Sequence, residues 1–258
     1  MDNLNFIDTH AHIYFDEYRK DIDSVINFSL ENNINKILMP NINSYSLKGM
    51  FMISNLYPEI CHPMLGLHPC YVKENYIDEL KIIKSYINKS KIVAIGEIGI
   101  DLYRDLKYYK EQVAAFEIQC HWALENNLPV VIHTRNSLKE TIQIIKNPIF
   151  KNLSGVFHCF DGTYSDAKEL IDLGFLLGIG GVCTFKNSNL RKTLLQIDIE
   201  HLVLETDSPF LSPEPKRGKR NVPSNIIYIA EMLEVITAVP LSKIAEITSR
   251  NALNLFPL

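Results

Sequence analysis

The five cysteines, at 61, 70, 120, 159 and 183, include no Cys-x-x-Cys pair. The chain therefore encodes neither a thiolate zinc knot nor a redox dithiol. An odd, scattered set also argues against a disulfide framework and predicts reduced thiols in a cytoplasmic protein. No glycine-rich phosphate loop follows the first strand-like run, which counts against an open doubly wound nucleotide-binding sheet. No apolar stretch is long enough to span a bilayer. The opening Met1-Asp2-Asn3-Leu4-Asn5 lacks the basic and apolar regions of a secretory leader, so no membrane association is expected. A net charge of −4 removes the general basic footprint of a nucleic-acid-binding protein. Bound divalent cations can nevertheless be the largest local charges in a site for phosphate. The one basic concentration is Lys216-Arg217-Gly218-Lys219-Arg220. Low-complexity segments, Gly/Ser linkers and composition breaks are all missing, so a single domain over residues 1–258 is expected.

What is present is a repeated alternation of short β-branched runs and longer amphipathic stretches. Strands are predicted over 5–13, 36–42, 60–68, 92–101, 128–135, 155–160, 175–182 and 202–207. Between them, Val113, Phe116, Cys120 and Leu124 recur at helical spacing, as do Leu138, Ile142 and Ile145. Ser137 and Glu140 stand at capping-box spacing, and Gly174 is placed to end a helix over 165–173. Eight β-then-α units in a chain of this length predict an α/β fold of the (β/α)8 barrel type.

In such a barrel, functional residues gather at the C-terminal ends of the strands. There the sequence places His10 and His12, His68, Glu97, His133, His158 and Asp207. A lone His-x-His reads as readily as two surface histidines. Polar residues at equivalent ends of several strands do not fit core packing, because converging them without a cation is costly. His, Glu and Asp without thiolates suit Zn, Mn, Fe or Mg. His10, His12, Glu97, His133, His158 and Asp207 suffice for two divalent ions, with Glu97 the natural bridge across roughly 3.5–4 Å. Regular pleating turns Cys159 away from the side taken by His158, against a catalytic thiol, and puts Glu205 on the same side as Asp207, one layer deeper. Trp122 and the twelve tyrosines show no spacing that marks a stacking platform. His62, His121 and His201 lie outside the rim motifs and read as packing or surface residues.

The ordered motifs resemble the TatD family of metal-dependent deoxyribonucleases, within the amidohydrolase-like barrels, over essentially the whole length. The resemblance rests on Asp8-Thr9-His10-Ala11-His12, Gly96-Glu97-Ile98-Gly99-Ile100-Asp101 and Gln112…Phe116…Gln119 with the His133-Thr134-Arg135 strand. It continues through Phe157-His158-Cys159-Phe160, Gly181-Val182-Cys183-Thr184-Phe185, Glu205-Thr206-Asp207-Ser208-Pro209-Phe210-Leu211 and Arg217-Gly218-Lys219-Arg220-Asn221-Val222-Pro223. It implies one metal held by His10, His12, Glu97 and Asp207, and a second held by Glu97, His133 and His158. Two positions depart from the pattern: Asn136, where relatives often have an acidic residue, and Cys70, where a second histidine is frequent.

The expected activity is metal-assisted phosphodiester hydrolysis, as a 3′–5′ exonuclease on a DNA end or single strand, using two divalent ions (Mg, Mn or Zn). Asp207 is the candidate to ligate metal and take a proton from water, with Glu97 and His68 as its catalytic partners. His68, Arg135, Arg217, Lys219 and Arg220 are the candidate substrate contacts. The partner is DNA, and a cytoplasmic monomer is expected. The alternative is another hydrolysis on the same metal platform, such as deacylation of mischarged transfer RNA; a metal-binding scaffold without turnover is disfavoured by the full ligand set.

Overall fold

Short apolar runs become short parallel strands, each followed by a connection that packs outside them. The computed structural model describes residues 4–103 and 106–258. Its strands are β1 (Phe6–Asp8), β2 (Ile34–Pro40), β3 (Cys61–Met64), β4 (Ile95–Asp101), β5 (Val130–Arg135), β6 (Gly155–Phe157), β7 (Phe175–Ile179) and β8 (Leu202–Leu204). The helices are α1 (Ile22–Glu31), α2 (Ser46–Leu56), α3 (Tyr76–Lys84), α4 (Tyr109–Asn126), α5 (Leu138–Ile145), α6 (Tyr164–Asp172), α7 (Leu190–Leu194), α8 (Ile226–Thr237) and α9 (Leu241–Leu255). No single helix among the described residues is long and apolar enough to cross a membrane.

Strands β1 to β3 form one parallel sheet and β4 to β8 another, each in sequence order. Backbone bonds join the two sheets at both edges. Ala11 bridges Ser208 and Leu65 bridges Ile95, supported by Asp207 N–H to His10 O and Gly96 N–H to Leu65 O, both 2.8 Å. Eight parallel strands thus follow one another around a (β/α)8 barrel, as the alternation predicts. Ile7, Leu38, Met64, Val131, Val156 and Val203 share one apolar cluster with Phe256 beyond α9. Val131, Val156 and Val203 stand two residues before His133, His158 and Glu205. Strand alternation therefore makes this cluster the floor on which the polar rim rests.

Six of the eight strands end earlier than the sequence suggests; β4 and β5 end as expected, at Asp101 and Arg135. β1 stops at Asp8, β6 at Phe157 and β8 at Leu204, so His10, His12, His158 and Asp207 lie beyond the regular ladder. The backbones of His10, His12 and Asp207 bond across the β8–β1 seam instead, and His158 N–H reaches Ile132 O of β5 at 3.0 Å. In β4 the ladder slips between Gly96 and Ile98, and this bulge re-aims Glu97. Gly99, at φ 144°, lies where a Cβ would sit 2.0 Å from His133 O, so only glycine lets β4 and β5 approach this closely.

Helix α4 forms over the expected stretch, but its buried face is centred on Ala115, Phe116, Gln119, Cys120 and Ala123, and includes Gln112. The two glutamines are buried because each grips a rim segment with both ends of its amide. Gln112 accepts from Asp101 N–H and donates to Asp101 O; Gln119 accepts from Leu67 N–H and donates to Leu67 O. The capping box expected at Ser137 does not form. Its hydroxyl instead bridges Arg135 N–H and Ile100 O, tying β5 to β4. Thr163 and Asp166 do form such a box at the start of α6, and Gly174, at φ 87°, follows the Leu173 cap.

Candidate metal centre

One carboxylate organises the rim. Glu97 Oε2 lies 3.2 Å from His10 Nε2 and 3.5 Å from His12 Nε2; Oε1 lies 2.8 Å from His133 Nδ1, 2.9 Å from His158 Nε2 and 3.2 Å from His68 Nε2. Asp207 Oδ1 closes the other side at 3.8 Å from His10 Nε2 and 3.6 Å from His12 Nε2. All six metal-ligand candidates and His68 therefore meet at one point. Three overlapping trios have ligand-type atoms within 4.8 Å of one another: His10, His12 and Glu97; His10, His158 and Asp207; His68, Glu97 and His133.

The outer nitrogens of the rings show how these residues are prepared. The Tyr14 hydroxyl donates its one proton to Pro40 O at 2.6 Å, so at 3.1 Å it accepts from His12 Nδ1–H. His12 Nε2 is then a lone pair facing the centre. The Asp101 carboxylate accepts a hydrogen bond from His133 Nε2–H at 3.1 Å and so leaves Nδ1 facing inward. His158 Nδ1 approaches Glu205 Oε1 at 3.5 Å. His68 has the reverse polarity: Cys70 N–H donates to its Nδ1 at 3.0 Å, so Nε2 carries the hydrogen. By this logic His68 is a hydrogen-bond donor, whereas His12 and His133 present lone pairs.

The donor set fits divalent metal. Two nitrogen–nitrogen approaches of 3.3 Å, His10 Nε2 to His12 Nε2 and His133 Nδ1 to His158 Nε2, bring ring nitrogens together on the cavity floor. Lone pairs at that spacing repel unless a proton or a cation lies between them. Outer carboxylates and hydroxyls that fix tautomers are the usual supports of metal-bound imidazoles. Burial alone raises the Glu97 carboxyl, but His68, His158 and His10 outweigh it and hold Glu97 well below the ordinary range. Burial pushes the Asp207 carboxyl up to about 6 against the pull of His158 and His12.

The centre floors a cavity of about 810 Å³. His68 and Arg135 line it, and the Arg135 guanidinium lies 3.7 Å over the Tyr103 ring. Arg217, Lys219 and Arg220 are not among its lining residues. Arg220 forks onto Asp21 at 3.0 and 2.6 Å over the Tyr18 ring, fastening the loop after β8 to the loop after β1. Arg217 stacks 3.9 Å over Phe185. Cys159 lines the cavity rather than facing away, because β6 ends at Phe157 and Cys159 has φ 48°. Burial, with Glu205 and Asp207 adding to it, pushes its thiol well up, which keeps it protonated and poorly nucleophilic. His62 lies buried away from the rim, 3.3 Å from Lys36 Nζ.

Sequence reasoning did not single out Tyr14, or the structural duties of Gln112 and Gln119. A tyrosine two residues after His12 carries no pattern of its own. Buried glutamines at helical spacing in an otherwise apolar face were the available signal for the other two.

Comparison with known proteins gives concordant findings. The family model for TatD related DNase matches residues 7–257. The chain is 34% identical over 251 residues to YabD of Bacillus subtilis (strain 168), described as an uncharacterized metal-dependent hydrolase, covering 96% of this chain and 98% of that one. It is 29% identical over 248 residues to the 3′-5′ ssDNA/RNA exonuclease TatD of Erwinia tasmaniensis, covering 94% and 96%. The crystal structure of YjjV, a TatD homologue of Escherichia coli K12, superposes with a TM-score of 0.93 at 25% identity, covering 99% of both chains.

Proposed function

We propose, since this chain belongs to the family of TatD related DNases and is a metal-dependent hydrolase, that it removes nucleotides from the 3′ end of DNA. The observation that carries the reading is the convergence of five imidazoles and Asp207 around Glu97 beneath a cavity with Arg135 and Lys73 in its wall. The chain acts as one domain and a cytoplasmic monomer. The relative named as a 3′-5′ exonuclease supports the polarity.

His10, His12, Glu97 and Asp207 would hold one divalent ion, and Glu97, His133 and His158 a second. Mg, Mn or Zn there would activate water and neutralise charge on the phosphoryl oxygens. Asp207, at the cavity end of the cluster and 14% exposed, accepts the proton of the attacking water at a carboxylate oxygen. Glu97 holds the imidazoles in register through both oxygens. His68 Nε2–H donates to a phosphoryl oxygen as charge develops, its orientation fixed by Cys70 N–H. Arg135 forks onto a flanking phosphate while its other face stays on Tyr103. Among the basic loop residues, Lys219 is exposed and can contact the phosphodiester chain. Arg217 and Arg220 act through the loop they hold in place.

The test is the purified protein on 3′-labelled single- and double-stranded DNA, with Mg or Mn and with chelator. Release of labelled nucleotide that chelator abolishes is expected. Absence of chelator-sensitive release from any strand overturns the nuclease reading and leaves the barrel untouched.

A further inference from the structure

The walls of the cavity differ in chemistry. On the arc formed by the ends of β7, β8 and β1, the lining residues other than His12 and Asp207 are apolar: Val182, Phe210, Leu211 and Phe15. The two lysine or arginine side chains among the described lining residues, Lys73 and Arg135, lie on the opposite arc, after β3 and at the end of β5. The metal-ligand candidates stand between the two walls.

Two phenylalanines shape the apolar wall. The Phe15 ring lies parallel to His12, with centroids 5.1 Å apart and planes at 13°. Phe210 meets it at 71° and 6.1 Å, and meets His12 at 64° and 6.2 Å. The pair forms a corner directly beside a metal-ligand candidate. Phe210 is 49% exposed, a large apolar face left open to the cavity. Its place is fixed from beneath, since its N–H bonds to Asp207 O at 2.8 Å and its own carbonyl accepts from Asn221 Nδ2 at 2.7 Å.

We infer that the Phe15–Phe210 corner is a stacking subsite for the nucleobase next to the scissile phosphate. The inference rests on the nuclease reading and adds to it how the substrate is gripped. A nucleic-acid strand alternates flat π-faced rings with anions, and this cavity sets a flat aromatic wall against a cationic one across the reacting centre. The base lies on Phe210 and the neighbouring phosphate turns toward Arg135. Because every base has a π-face, the subsite selects for the presence of a base and tolerates any sequence. No lone stripe of sequence could announce it, since Phe15 and Phe210 come from loops at opposite ends of the chain.

Two measurements test it, using the metal-loaded protein and its Phe210→Ala and Phe210→Trp variants. The first compares kcat/KM on a single strand with a normal 3′-terminal nucleotide and on the same strand ending in an abasic residue. The second compares calorimetric affinity for deoxyadenosine monophosphate and for deoxyribose 5-phosphate. The wild type is expected to favour the base-bearing ligand by about fivefold or more in both. Phe210→Ala is expected to lose that preference and Phe210→Trp to keep it. A wild type indifferent to the base, or a preference that survives in Phe210→Ala, overturns the subsite while strand cleavage leaves the nuclease reading standing. Base-dependent affinity lost in Phe210→Ala, with no strand cleaved, leaves the subsite standing and removes the nuclease reading.

Discussion

Replacing Gly178 by alanine should damage the metal centre from a position that touches no proposed ligand's ring. Gly178 lies in β7, and a Cβ there would sit 2.3 Å from Glu205 Oε2, 2.8 Å from Glu205 Cδ and 3.1 Å from His158 Cα. Ordinary contact begins near 3.4 Å, so the carboxylate must move by about 1 Å. Glu205 is 1% exposed and its Oε1 accepts from Cys159 N–H. Moving it breaks that charge-assisted bond, worth about 1.5–3 kcal/mol, and shifts the carboxylate that lies 3.5 Å behind His158 Nδ1. For a chain of this size each kcal/mol shifts Tm by about 2–4 °C, so a fall of about 3–12 °C is expected. Loss of a support behind a metal-binding imidazole should also weaken metal affinity about tenfold. Calorimetric melting with and without metal, and competition against a chelator, read both effects. Gly174→Ala is the control, with φ 87° and nothing within 4 Å of its Cβ; backbone strain of about 1 kcal/mol and unchanged metal affinity are expected. A Gly178→Ala protein that melts within about 1 °C of wild type with unaltered metal affinity would refute the reasoning.

Tyr14→Phe removes the acceptor of His12 Nδ1–H while keeping the ring, so chelator competition should show about tenfold weaker binding of one ion; equal affinity would mean that Tyr14 does not hold the tautomer. Arg220→Ala breaks the fork to Asp21 and should lower stability in urea by about 1 kcal/mol with little change in KM, because that pair is partly exposed and its arginine is turned away from the cavity. Arg135→Ala should instead raise KM for DNA severalfold with stability nearly unchanged, and a reversed pattern would exchange their roles. Burial, with Lys36 and Lys91 nearby, lowers the His62 imidazole to about 4. The unfolded chain takes up this proton first as pH falls through 6.5, so the contribution is intact above 6.5 and is lost progressively toward pH 4, on the order of 3 kcal/mol. His62→Gln should flatten urea stability against pH over that window; an unchanged slope would remove His62 from the acid response.

The barrel was legible because eight short strand-like runs alternate with longer amphipathic stretches, and because ligand-type residues recur at strand ends. What was not legible follows from irregular backbone. A period-2 pattern carries β1 through residue 13, yet the strand stops at Asp8 and the chain reaches His10 and His12 by seam bonds. The same departure brings Cys159 to the cavity against its expected facing. Charge in the 216–220 run was visible, but its partners were not, since Asp21 and Phe185 lie far from it in sequence. The supports behind the rings became assignable only once the hydrogen-bond directions of Tyr14 and Asp101 and the place of Glu205 behind His158 Nδ1 were known.

Glu97 is proposed to serve both metal sites, and metal content per chain is the decisive measurement. Wild type and Glu97→Ala, each loaded with Mn or Zn and freed of excess metal, are measured by elemental analysis beside a folding check by circular dichroism. Two ions per wild-type chain are expected, falling below two in a folded Glu97→Ala protein. A folded Glu97→Ala chain that still binds two ions, or a wild type that never exceeds one, would contradict the claim.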